Sequence, residues 1–99
     1  MAYTTVDRVR NVSGLTESEA DDLKVEELIA YADSIVETVT GKTWSSSEPE
    51  FPQIQLASSL LVAWLCYRGL VGVEDKAERC RREALAILEA LRSGALLRV

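Results

Sequence analysis

The sequence predicts an all-α fold: a small bundle of one short N-terminal helix and three longer helices, followed by an extended C-terminal tail. Three observations predict it. Apolar residues recur at helical spacing over residues 25–39 and 77–91, with no strand-like alternation. Helix start and stop residues bracket each of these runs. The 99 residues, 47% hydrophobic and 27% charged, suit one compact domain and are too apolar for a disordered chain. Residues 1–99 therefore read as a single domain, with 94–99 as its tail.

The first helix spans about Val6 to Val12, capped by Thr4 or Thr5 and stopped by Ser13-Gly14. Thr16, with Glu19 three residues on, has the spacing of a capping box, although Ser18, Asp21 or Asp22 is an alternative cap. From about Val25, the residues Leu28, Ile29, Ala32, Ile35, Val36 and Val39 complete one stripe, which Gly41 ends. Glu26, Glu27, Asp33 and Glu37 then occupy the wet face.

A serine-rich loop runs from Gly41 to about Pro52, and Pro52 suits the first turn of the next helix because it has no amide hydrogen to satisfy. Ile54 through Tyr67 is apolar almost all the way round, so this helix must be covered on every side. Gly69 and Gly72 end it. A last helix from about Glu74 to Arg92 carries Ala77, Cys80, Ala84, Ile87, Leu88 and Leu91 on one face, and Ser93-Gly94 closes it. The apolar supply exceeds what one small core covers, which predicts that another chain shares it.

Composition removes several kinds of chemistry. There is no histidine, hence no Ser-His or Cys-His nucleophile pair and no histidine metal ligand. Cys66 and Cys80, with 13 residues between them, fit neither a zinc site nor a disulfide framework, and they read as small core residues in a reducing compartment. The acidic run Glu17, Glu19, Asp21, Asp22 lacks the central glycine and terminal glutamate of a calcium loop. No catalytic residue, metal or cofactor is expected. The segment 56–73 contains Ser58, Ser59, Arg68, Gly69 and Gly72, which argues for a buried helix in place of a membrane span. With no secretion signal at the N-terminus, the chain is expected to be made in the cytoplasm.

Eleven basic residues stand against sixteen acidic ones, a net charge of −5, the wrong sign for broad phosphate binding. The charge is two-ended: residues 1–60 carry −7 and residues 61–99 carry +2. Lys76, Arg79 and Arg82 share one edge of the last helix, with Arg81 beside them. That edge meets phosphate, or it pairs with Glu78, Glu83 and Asp75 of its own helix, faces solvent, or contacts an acidic face of a neighbouring subunit. Residues 25–40 are too acidic for the recognition helix of a helix-turn-helix protein. Trp44 either caps the core from outside or anchors a partner.

The order of signals then matters: Thr5-Val6-Asp7-Arg8-Val9-Arg10, an acidic link, Leu28-Ile29 through Val39, Gly41-Lys42-Thr43-Trp44, and Pro52-Gln53-Ile54-Gln55-Leu56-Ala57. This order resembles the head-tail connector proteins of tailed phages, also called adaptor or head-completion proteins. The resemblance covers roughly residues 4 to 70. Members often carry a basic residue soon after the helix-starting proline, where this chain has Gln53 and Gln55. The resemblance implies a non-enzymatic virion protein at the head-tail interface, forming a ring of about twelve subunits closed by symmetry. Such a ring docks under the portal protein, extends the DNA channel, and meets tail or stopper proteins. It contacts no membrane and reads no DNA sequence.

Relatives often stay monomeric until the portal templates them. On this reading Glu26, Glu27, Asp33 and Glu37 of one subunit face Arg79 and Arg82 of the next, while Trp44, Leu96, Leu97 and Val99 dock on the portal or another partner. The alternative is a small regulatory or nucleic-acid-binding module, using the basic edge of the last helix.

Overall fold

In the computed structural model the backbone is described over residues 2–97, with side chains described throughout except at 70, 71 and 94–97. Four helices follow one another: α1 (Val6–Ser13), α2 (Asp22–Thr40), α3 (Phe51–Cys66) and α4 (Glu74–Leu97). No strand occurs among the described residues.

Thr5 caps α1, its hydroxyl accepting from the Arg8 amide at 3.3 Å. The Thr16–Glu19 box forms as read, with Thr16 N–H donating to Glu19 Oε1 at 3.0 Å and Glu19 N–H to Thr16 Oγ1 at 3.3 Å. It closes an isolated turn, however. Asp21 is the cap of α2 and accepts from the Lys24 amide at 2.9 Å. The link between the two helices is pinned by Arg10, whose guanidinium donates to the carbonyls of Leu15 at 3.3 Å and Ala20 at 2.9 Å and reaches Asp22 at 2.6 Å. Leu15 and Ala20 are thereby held in the core.

The helix α3 is the centre of the molecule, packed by α1, α2 and α4. Phe51, Ile54, Ala57, Ser58, Ser59, Leu60, Leu61, Val62, Ala63 and Cys66 are all buried on it. One chain thus covers most of α3, leaving Leu56 42% exposed and Trp64 and Leu65 half-buried. The short helix α1 and the segment before it supply a side of the core that a count of long helices omits. A fully buried side chain such as Leu61 contributes about 1.5–3 kcal/mol by leaving water. The large hydrophobic side chains left exposed among the described residues are Val12, Leu23, Tyr31 and Leu56.

Two helix ends differ from expectation. Gly69 does not end α3; it lies inside a π-helical turn, Tyr67–Val71. The terminator is Gly72, at φ 79°, whose amide donates to the Tyr67 carbonyl at 2.7 Å. A left-handed residue there closes the wider turn without a Cβ clash. The backbone of α4 runs past Gly94 to Leu97. Glycine in a helix costs about 1 kcal/mol relative to alanine, and Ala95, Leu96 and Leu97 are good helix formers that favour continuation. The side chains of 94–97, and residues 98 and 99 altogether, lie outside the described residues.

Candidate interaction surfaces

The residues before α1 dock against α2 and α3 through a buried polar network. Tyr3 is 1% exposed. Its amide donates to Asp33 Oδ2 at 3.1 Å, and its hydroxyl donates to Glu37 while accepting from the Trp44 amide at 3.0 Å. Ser58 donates to the other Asp33 oxygen at 2.9 Å. Thr4 and Ser59, both buried, share a hydrogen bond of 2.6 Å. Phe51 meets the Tyr3 ring edge-on with centroids 6.0 Å apart. Burial pushes the Asp33 carboxyl above its ordinary range, against the lowering effect of its two donors.

This network changes the standing of three predicted site residues. Asp33 and Glu37 are half-buried and bonded within the chain, so the purely wet face that periodicity gives them is corrected. Trp44 is buried, its indole N–H donating to Thr40 Oγ1 at 3.0 Å and Lys42 Nζ lying 4.3 Å from the ring centroid. It covers the core of its own chain and offers no free ring to a partner. Leu96 and Leu97 have no described side chains, and Val99 lies outside the described residues.

Glu26 and Glu27 are exposed on α2, Glu27 making a loose contact with Lys24 at 3.6 Å. The same helix exposes two residues that lie off the apolar stripe. Leu23 is 74% exposed and Tyr31 68% exposed. Leu23 lies two residues before Val25, about 200° round a helix and so on the opposite face. An apolar residue off the stripe is the signal available in the sequence.

On α4 the basic edge is divided. Arg81 is paired with Glu78 at 2.6 Å, and Lys76 lies 5.6 Å from the Tyr67 ring centroid. Arg79 and Arg82 are exposed and form no ion pair among the described residues. Between the end of α1, α3 and α4 there is a groove of about 230 Å³. Val12, Leu60, Tyr67 and Cys80 supply the apolar part of its lining beside Ser13, and Lys76, Arg79 and Glu83 supply the charged part. A larger depression of about 490 Å³ beside Trp64 is lined by Arg68 and Arg81 but also by Glu74, Asp75 and Glu78, which balance them.

The structure thus places Glu26, Glu27, Arg79 and Arg82 at the surface, Asp33 and Glu37 half-buried in bonds within the chain, and Trp44 in the core. Among the described residues no three His, Cys, Asp or Glu side chains gather as a metal site. No described helix is long and apolar enough to cross a membrane. The chain matches no known protein-family model, no curated protein and no solved structure.

Proposed function

We propose that the chain is a non-catalytic head-tail connector (adaptor) subunit of a tailed virus, assembling as a ring beneath the portal and extending its DNA channel. One observation carries this reading. Tyr3 and Phe51, which border two of the segments behind the resemblance, pack on each other, and Trp44 of a third segment reaches Tyr3. The Trp44 amide of the Gly41-Lys42-Thr43-Trp44 corner donates to Tyr3 at 3.0 Å, two residues before the Thr5 cap. Phe51, beside the helix-starting Pro52, packs on the same Tyr3 ring.

The charge balance agrees. A net charge of −5 suits a channel through which DNA slides without being held. Only Arg79 and Arg82 remain uncommitted on the basic edge, a narrow footprint for the alternative nucleic-acid-binding module. Electron microscopy of the purified chain mixed with portal rings tests the proposal. The expected product is an additional ring of density under the portal. Removal of residues 95–99 is expected to abolish co-sedimentation with portal rings, because Leu96, Leu97 and Val99 are the proposed docking residues. Portal rings that stay bare, together with a salt-dependent shift of DNA by the folded chain, would overturn it in favour of the alternative.

A further inference from the structure

We infer that the groove between the end of α1, α3 and α4 receives the Leu23 face of α2 from a second copy of this chain, making a head-to-tail contact. Leu23 is the most exposed large hydrophobic side chain described, at 74%, and Glu26 and Glu27 flank it one helical turn on. The groove offers the complement. Val12, Leu60, Tyr67 and Cys80 supply the apolar part of its lining beside Ser13, and two of its three charged residues, Lys76 and Arg79, are cations, the third being Glu83.

An apolar knob flanked by carboxylates therefore meets a partly apolar hollow in which cations outnumber carboxylates. Complementary charge sets the register of such a contact, and burial of the central leucine supplies the affinity. The two surfaces share no residue: one lies wholly on α2, the other on α1, α3, α4 and the π turn. Each bound copy therefore keeps a free knob and a free groove for the next, which is the condition for a ring or a filament. The inference deepens the ring reading above and rests on it for the closure of the series.

Cys80 in the groove lining makes the contact directly testable. Leu23→Cys places a thiol on the knob, and a short bismaleimide then bridges it to Cys80 of the neighbour, Cys66 being buried. The expected product is a ladder of dimers, trimers and larger species that disappears when Cys80→Ser is added. Arg79→Glu is expected to lower the yield several-fold, and Glu27→Arg in the same chain to restore it. Leu23 and Arg79 are exposed, so circular dichroism should report an unchanged fold for both variants.

Products that stop at dimer, or that persist with Cys80→Ser, would overturn the contact. A ring on the portal formed by the Leu23→Cys variant with no crosslink from position 23 to Cys80 would sink this inference and leave the connector reading standing. A ladder from a chain that never binds portal rings would do the reverse.

Discussion

The Tyr3 hydroxyl accepts a hydrogen bond from the Trp44 backbone amide at 3.0 Å, 41 residues away, and donates its own proton to Glu37. One phenol thus ties the segment before α1 to both the end of α2 and the loop after it. Tyr3→Phe keeps the ring against Phe51 but leaves a buried amide without an acceptor. The expected loss is about 1–3 kcal/mol. For a domain of this size, each kcal/mol lowers the melting temperature by about 4–8 °C. Thermal denaturation followed by circular dichroism checks this, and an unchanged midpoint would mean that the hydroxyl is replaced by water.

Thr4 and Ser59 give a sharper case because both are buried and each depends on the other. Ser59 donates to the Gln55 carbonyl at 2.8 Å, which leaves Thr4 as the donor in the 2.6 Å bond between them. Ser59→Ala strands the Thr4 proton, at about 1–3 kcal/mol. Adding Thr4→Val removes the stranded group, so the double variant should be more stable than Ser59→Ala alone. Urea unfolding of the four proteins in the cycle measures this. Additive losses would refute the pairing.

Three helix ends are legible in the sequence because their signals are local: Thr5, Asp21 and Gly41 cap within three or four residues of the groups they satisfy. The polar network is not legible, since its bonds join residues 25 to 55 positions apart. Ser58 and Ser59 look like interruptions in an apolar helix and are in fact its polar contacts. Periodicity gives Asp33 and Glu37 to water because the stripe on α2 defines one core face, whereas the extended residues before α1 create a second. The same omission makes α3 look under-covered. At the surface, helical periodicity alone places Glu26, Glu27, Arg79 and Arg82 correctly, and it misses Leu23 because that residue belongs to no stripe.

Asp33 predicts a pH dependence of unusual sign for a carboxylate. Burial raises its pKa above 3.8, so the folded state holds the proton more tightly than the unfolded chain. The stability this contributes is fully present below 3.8 and is lost as pH rises through the folded-state pKa. Glu19, Glu48 and Glu78 act in the opposite sense. Their hydrogen bonds to Thr16, Lys42 and Arg81 lower their pKa values below 4.5, and those contributions are lost as pH falls through the folded values. Asp33→Asn removes the Asp33 titration alone. The advantage of wild type over this variant should therefore shrink with rising pH, as read by urea unfolding at matched salt. A carboxyl resonance for Asp33 that titrates at or below 3.8 would contradict the argument.

The two thiols should separate kinetically. Cys66 is fully buried and its pKa is pushed up to about 11 by burial, so at about pH 8 roughly one molecule in a thousand carries the thiolate. Access adds a second barrier, because reagent reaches α3 only when the bundle opens. Cys80 is also raised, by burial and by the Glu83 charge against a smaller lowering effect of Arg79, but it lines an open groove that reagent can enter. Reaction with an aromatic disulfide reagent should therefore show one thiol modified in the native protein and the second only at the rate of unfolding. Denaturant should merge the two phases, and Tyr3→Phe should speed the slow one by loosening the corner that holds α3 in place. Two thiols reacting at one rate in the native state would mean that Cys66 is not sealed in the core.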